Sequence, residues 1–298
     1  MLVFARDVNI LGAMANPSVS IIIPAHNEAQ VIHKTLDALG RLGAGNDFEI
    51  IVVCNGCVDD TETIVKQFDI VTLIRTDIPS KTNALNLGDR RARGKTRIYM
   101  DADVLISADH IQLLVNELHK NDYLAATPNI KMDVELSSWM VRAYYDIWLQ
   151  LPYVKEGFMG SGIYAISETG RQRFDRFPDL ISDDGFVRGQ FTREEITRID
   201  NAFSTVKSPL SLSGLIKIKT RSRLGHFQLL ARYPNLNLGD RRETYFEVAR
   251  VLIRPGNLLK SIVYVGINLI CRMKARKIIA SGIDYVWETD QTSRGSQV

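Results

Sequence analysis

Two carboxylates one residue apart, in Asp101-Ala102-Asp103, are the first candidates for chemistry in this chain. They directly follow the apolar run from Arg97 to Met100, so they stand where a strand ends. Alternate side chains project to opposite faces while a strand persists, and a turn is needed to bring both carboxylates together. Two hard oxygen donors placed there could hold Mg²⁺ or Mn²⁺, and the ion could bridge the phosphates of a nucleoside diphosphate. Alone the triplet is a weak signal, because two nearby aspartates also make a solvated turn or a helix cap. A second acidic cluster, Ser182-Asp183-Asp184, reads by residue type as an N-capping group as readily as a functional pair.

The first half of the chain alternates short apolar runs with amphipathic stretches, the pattern of a mostly parallel sheet with crossover helices. Val19 to Ile23 is a β-branched run that stops at Pro24. Apolar residues at Val31, Ile32, Leu36 and Leu39 carry helical spacing. Ile50 to Val53 reads as the second strand, ending in a turn at Asn55-Gly56, and Asp59 could cap the helix that follows. Val71 to Ile74 is the third strand; Lys81 to Arg93 reads as helix, with Gly94 as its stop. The fourth strand delivers Asp101 and Asp103, and in open α/β sheets ligands bind beyond the carboxyl ends of the strands. Further on, Ser107 can cap a helix to Lys120 and Tyr123 to Ala126 reads as a strand. Leu136 to Leu151 is aromatic and apolar on nearly every side, and Pro209 to Arg232 reads as a long basic helix.

The 298 residues are 45% hydrophobic and 24% charged with a net charge of +3, an ordinary globular composition. Lys and Arg are largely balanced by acids, and no basic run is interleaved with aromatics, so a nucleic-acid groove is not expected. The three cysteines, Cys54, Cys57 and Cys271, are too few and odd in number for a secreted disulfide scaffold and point to a reducing, cytoplasmic setting. No signal peptide is read in Met1 to Asn16, and no run reaches the roughly 20 apolar residues of a membrane-spanning helix. Thr289 to Val298 is a polar tail expected to be disordered.

Four blocks stand at the ends of successive strands: SIIIPAHNE, VVCNGCVDDT, KTNALN and YMDAD. In order and spacing they resemble the family 2 glycosyltransferases of the GT-A fold, over roughly residues 18 to 105. That resemblance implies a metal-dependent transfer from a nucleotide-diphospho-sugar donor, with UDP favoured and Mg²⁺ or Mn²⁺ as cofactor. It puts Pro24, Asn27 and Glu28 in the nucleoside pocket with Asn55 and Asp59 nearby. Lys81 faces the diphosphate, a role suited to an ammonium at a helix N-terminus. Asp101 contacts the ribose or a water and stands beside Asp103, the metal ligand. Many members carry an Asp pair where this chain has Cys54 and Asn55, which leaves the base, uridine or guanosine, open.

Weaker blocks follow. GFMGSGIYAIS resembles the acceptor-side Gly-rich strand, whose Gly160, Ser161 and Gly162 would let an acceptor approach the backbone; a simple β-turn is the plain alternative. LISDDGFVR resembles the family's acidic pair, which makes Asp184 the general base of an inverting transfer and Asp183 its neighbour. KIKTRSRLGHF stands where membrane-linked members have a Gln-x-x-Arg-Trp block, only half kept here. Arg221 and Arg223 could stabilise the leaving diphosphate, or belong to a solvated helix face.

Other readings rank lower. Cys54-Asn55-Gly56-Cys57 is a Cys-x-x-Cys but lies inside a block better explained as a nucleotide pocket, and His26 reads as a pocket wall. A nucleotidyltransferase would carry a Gly-rich basic loop after the first strand, where this chain has Pro24 to Glu28. A non-catalytic sugar- or lipid-binding protein of the same fold is the second alternative.

The expectation is therefore an α/β protein with one GT-A domain over residues 17–235, a mostly parallel central sheet, and a helical C-terminal extension over 236–298. The expected acceptor is a glycan or a lipid-linked glycan. Within the extension, Ser261 to Cys271 is apolar and is followed by Arg272, Lys274, Arg276 and Lys277. That layout suits an in-plane helix on an anionic membrane, here the inner face of the cytoplasmic membrane, or a homodimer interface.

Overall fold

A computed structural model describes residues 17–44, 47–155, 161–236 and 241–281. The Gly-rich block is therefore seen from Ser161 onward, and Gly160 lies outside the described residues, as does the polar tail. In chain order the elements begin with β1 (Val19–Ala25), α1 (Ile32–Leu39), β2 (Phe48–Asn55), α2 (Thr61–Val65), β3 (Val71–Thr76), α3 (Lys81–Arg91) and β4 (Thr96–Met100). They continue through β5 (Val104–Leu105), α4 (Ala108–Lys120), β6 (Ala125–Asp133), α5 (Trp139–Trp148), α6 (Pro152–Lys155), β7 (Ile163–Ile166), α7 (Glu168–Arg171) and α8 (Asp183–Arg188). The last are β8 (Ile196–Lys207), α9 (Leu212–Arg232), α10 (Arg241–Leu252) and α11 (Leu258–Ser281).

The strands form one sheet in the order β3-β2-β1-β4-β7-β6-β8-β5. Pairs β1–β2, β1–β4, β2–β3 and β6–β8 are parallel, while β7 and β5 join antiparallel. β1 is buried along its whole length because helices cover both faces, which explains its unbroken apolar run. Ile21 and Ile23 pack with Leu36, Leu39, Ile111 and Leu114, whereas Ile22 faces Leu85, Tyr99 and Phe177. The chain order reverses direction between β1 and β4. A crevice opens at such a switch point, at the carboxyl ends of these two strands.

Several boundaries differ from the sequence reading. The third helix ends at Arg91, and Gly94 is required by packing: a Cβ there would lie 2.5 Å from the backbone of Val19. Ser107 caps α4 as expected, its Oγ accepting from the His110 N–H. The strand expected at Tyr123 to Ala126 runs on to Asp133, because an irregularity between Pro128 and Asn129 absorbs the proline without ending the ladder. The long basic helix starts at Leu212, with Ser211 accepting from the Gly214 N–H. β8 is twelve residues long and was not read from the sequence.

The last helix lies against α5 and α9. Ser261, Tyr264, Ile267, Cys271 and Ala275 form its buried stripe, and Tyr144, Tyr145 and Leu215 are buried in the same cluster. Its other face exposes Leu259, Ile262, Leu269 and Met273. Among the described residues no helix is long and apolar enough to cross a membrane.

Candidate active site

Two adjoining cavities, of about 560 and 310 Å³, occupy the crevice at the switch point. Pro24, Lys81, Asp101, Asp103, Asp183 and Arg221 line both. His26, Glu28 and Asn55 line only the larger; Asp184, Ser161 and Gly162 line only the smaller. The sequence blocks thus converge from seven segments of the chain on one crevice.

The larger cavity is walled by the loops after β1 and β2, which are bound to each other. Asn55 donates from Nδ2 to the Ala25 carbonyl at 2.9 Å, and His26 Nδ1 lies at the Asn55 carbonyl. Asn27 adopts φ 55°, a left-handed conformation that Asn tolerates, and its Oδ1 accepts from the Val58 N–H at 2.8 Å. Asp59 accepts from the Ala29 N–H at 3.1 Å and the Thr61 N–H at 3.0 Å, so it pins the first loop and the start of α2 at once. These hydrogen bonds hold its carboxyl below the ordinary aspartate range, against its partial burial. Asn27 and Asp59 line neither cavity; they fix the loops that carry Glu28 and Asn55. The buried thiol of Cys54 and the half-buried thiol of Cys57 are both free, and Cys57 Sγ donates to the Ala25 carbonyl.

Lys81 is the first residue of α3, whose N-cap Ser80 accepts from the Asn83 N–H at 3.2 Å. The helix is anchored at Asn86, which exchanges two 2.9 Å hydrogen bonds with the backbone of Phe177. From there the Lys81 ammonium reaches Asp101 Oδ1 at 2.7 Å and Asp183 Oδ2 at 3.1 Å. Burial works against its charge, but the two carboxylates hold its pKa well above the usual lysine value. Burial pushes Asp183 up to about 6 in spite of Lys81, helped by repulsion from Asp184 and Asp101. One ammonium does not balance three neighbouring carboxylates.

The turn after β4 is shaped by Gly162. Its carbonyl accepts from the Asp101 N–H at 2.8 Å, its φ is +66°, and a Cβ there would lie 2.4 Å from Val104 Cγ2. Ser161 is buried, bonded to Thr127 Oγ1 at 2.6 Å and donating to the Ile163 carbonyl at 2.7 Å, so it ties β6 to β7. At α8 the Ser182 hydroxyl makes no helix-capping bond. It donates instead to Asp184 Oδ1 at 3.1 Å, which also takes the Gly185 N–H at 2.7 Å. Asp183 and Asp184 both line the smaller cavity, and Asp184 also satisfies one backbone donor in the first turn of α8.

On α9, Arg221 lines both cavities, while Arg223 reaches Asn268 of α11 at 3.4 Å and lines neither. Lys219 and Lys207 line the smaller cavity and were not singled out from the sequence. Tyr144, Tyr145 and Trp148 on the aromatic helix α5 surround the Lys219 ammonium, an arrangement that only the packing reveals.

As a donor set, Asp101 and Asp103 fit an ion that takes one or two protein carboxylates and completes its shell with water and phosphate oxygens, as Mg²⁺ does. A cage made by the protein alone is a different case, since among the described residues no three acidic, His or Cys side chains are placed so that they could hold a metal ion.

Residues 20–171, half of the chain, match the family described as Glycosyl transferase family 2. A curated relative, glycosyltransferase AglD of Haloferax volcanii, is 31% identical over 122 residues, 38% of this chain and 20% of its own length. The chain spans between a fifth and a third of the curated relatives it matches in this way. Among solved structures, the mannosyltransferase PcManGT from Pyrobaculum calidifontis, in complex with GDP-Man and Mn²⁺, superposes with a TM-score of 0.60. It has 20% identity and covers 90% of this chain and 79% of its own. The glucosyl-3-phosphoglycerate synthase of Mycobacterium tuberculosis, with Mn²⁺ and UDP, follows at a TM-score of 0.55 and 18% identity, covering 80% of this chain and 88% of its own. Both likenesses are of fold, and both are to nucleotide-sugar enzymes of the GT-A type. With the matched blocks gathered at the switch point of such a sheet, the chain belongs to glycosyl transferase family 2.

Proposed function

We propose that the protein transfers a sugar from a nucleotide-diphospho-sugar to a hydroxyl of a glycan or lipid-linked acceptor, with inversion. The observation that carries this reading is the meeting of Lys81, Asp101 and Asp183, with Asp103 and Asp184 beside them, where two cavities join. The larger cavity suits the nucleoside and the smaller one the acceptor. The diphosphate then lies between them, beside Lys81 and Arg221.

In this reading Asp184 takes the proton from the acceptor hydroxyl as that oxygen attacks C1 of the donor sugar and the C1–diphosphate bond breaks. It lines only the smaller cavity, and one of its oxygens is held by Ser182 and Gly185. Asp183 is the poorer base because it is bound to Lys81, and it serves to position that ammonium. Arg221 adds positive charge where the leaving group develops negative charge. A divalent ion at Asp103 and Asp101, bound with the donor, would supply further charge neutralisation at the diphosphate. The solved neighbours, in complex with Mn²⁺ and GDP-Man or UDP, support that ion and leave the base open.

The exposed Leu259, Ile262, Leu269 and Met273 of α11 stand beside exposed Arg272, Lys274, Arg276 and Lys277. This combination supports peripheral attachment to an anionic membrane, which would bring the enzyme to a lipid-linked acceptor.

The test is release of nucleoside diphosphate from UDP- and GDP-sugars, with Mn²⁺, in the presence of extracted glycan and lipid acceptors. Acceptor-stimulated release that Asp184→Asn lowers by at least about 100-fold is expected. Undiminished release by that variant would remove Asp184 from the reaction.

A further inference from the structure

Lys219 differs from Lys81, another cation of the crevice, in how it is held. Lys81 has two carboxylates. Among the described residues, Lys219 has none within ion-pair reach. Its ammonium lies 4.6 Å from the ring centroid of Trp148, 5.1 Å from that of Tyr145 and 5.3 Å from that of Tyr144. The ionisable groups that act on it are one further cation, Arg223 on its own helix, and the thiol of Cys271 of α11. Asp146, on the same helix as the rings, is occupied by Lys260 at 2.7 Å. Burial pushes the Lys219 pKa down to about 8.

Aromatic faces offset part of the cost of burying an ammonium, but they supply no counter-charge. Lys219 also lines the smaller cavity, the one that contains Asp184, and does not line the larger. Lys207, at the end of β8, lines that cavity as well. The smaller cavity thus has two chemistries, carboxylates from the β4 end and from α8, and cations from β8 and α9. The base end of a nucleotide in the larger cavity makes no use of the cations found only in the smaller one.

We propose that Lys219 is a specificity-determining residue of the acceptor subsite, and that the acceptor carries a phosphate or carboxylate near the hydroxyl that receives the sugar. This rests on the assignment of the smaller cavity to the acceptor. The ring cage fixes the ammonium in place, and the anionic group of the acceptor completes its charge. An uncharged acceptor of the same shape would leave a half-buried cation unbalanced and bind more weakly.

The experiment uses the full chain and three small probes, glycerol 3-phosphate, glycerate and glycerol. Tryptophan fluorescence and melting temperature are titrated at pH 7 in wild type, Lys219→Met and Lys219→Arg. UDP and GDP with Mn²⁺ are titrated in parallel. The two anions are expected to change the fluorescence, through Trp148, and to raise the melting temperature of wild type. Glycerol is expected to do neither. Lys219→Met should weaken anion binding at least about tenfold while nucleotides bind as before, and Lys219→Arg should restore most of it. The proposal is overturned if glycerol matches the anions, or if Lys219→Met binds the anions as tightly as wild type. Loss of nucleotide binding alone, with the anion effects intact, would count against the donor reading.

Discussion

The Lys81 ammonium lies 3.1 Å from a carboxylate oxygen of Asp183, joining the first residue of α3 to the first residue of α8 across the crevice. The same ammonium lies 2.7 Å from Asp101 at the end of β4. Three segments distant in the chain therefore share one positive charge, and the walls of both cavities depend on it.

Removing that charge is expected to destabilise the fold as well as the site. Lys81→Met leaves Asp183 buried without its cation, at a cost of about 2–4 kcal/mol. Urea unfolding at pH 7 measures it. Adding Asp183→Asn to Lys81→Met should recover part of the loss, because the orphaned charge is gone. Strictly additive single losses would mean the two residues are not coupled.

Asp183 also gives the stability a pH dependence of known sign. The folded carboxyl keeps its proton to about pH 6, whereas an unfolded aspartate releases it near 3.8. The folded chain therefore binds more protons between those values, and this group lowers stability as pH rises through that window. In Asp183→Asn the fall between about pH 4 and 6 should be smaller. The check is the urea midpoint followed across that range in both proteins.

Lys219 works in the opposite sense. Its folded pKa near 8 lies below the usual 10.5, so the unfolded chain holds more protons between those values and stability rises with pH there. Lys219→Met should be more stable than wild type at pH 7 by about 1 kcal/mol, after allowing for the lost aromatic contacts. The difference should close as pH approaches the unfolded pKa. A less stable variant at pH 7 would show that the ring cage outweighs the burial cost.

Gly162→Ala tests the turn that presents Asp101. Its φ of +66° strains any L side chain, and the new Cβ would press on Val104 Cγ2 at 2.4 Å. A loss of about 2–4 kcal/mol is expected, with weaker nucleotide binding because the Gly162 carbonyl holds the Asp101 N–H. Melting temperature and a nucleotide titration read the two effects separately.

Ile262→Glu, on the exposed face of α11, should lower co-sedimentation with vesicles containing anionic lipid and leave the melting temperature nearly unchanged. Equal sedimentation by the variant would favour other uses of that face.

The parallel half of the sheet was legible because β1 and β2 are buried on both faces and so read as unbroken apolar runs, although β1 continues through Pro24 to Ala25 and β3 is only partly buried. β8 was not. Its residues alternate irregularly between buried and exposed, Arg198 and Asp200 interrupt it, and its register with β6 shifts midway. Within the site, Asp101 and Asp103 gave only a weak local signal and Asp183 and Asp184 took their roles from the family resemblance, while the Lys81–Asp183 contact depends on how α3 and α8 pack. Lys219 was hidden for a related reason. In a basic helix it reads as one more solvated lysine, and only the packing of α5 against α9 shows that aromatic rings surround it.

In the proposed function the crevice binds a nucleoside diphosphate together with a divalent ion. The most direct measurement is a titration of UDP and GDP, each with and without Mn²⁺, against wild type and Asp103→Ala, read as a shift in melting temperature. A shift for one of the two nucleotides, enlarged by Mn²⁺ and with that enlargement lost in Asp103→Ala, is the expected result. Folded protein that responds to neither nucleotide, or a Mn²⁺ effect untouched by Asp103→Ala, would contradict it.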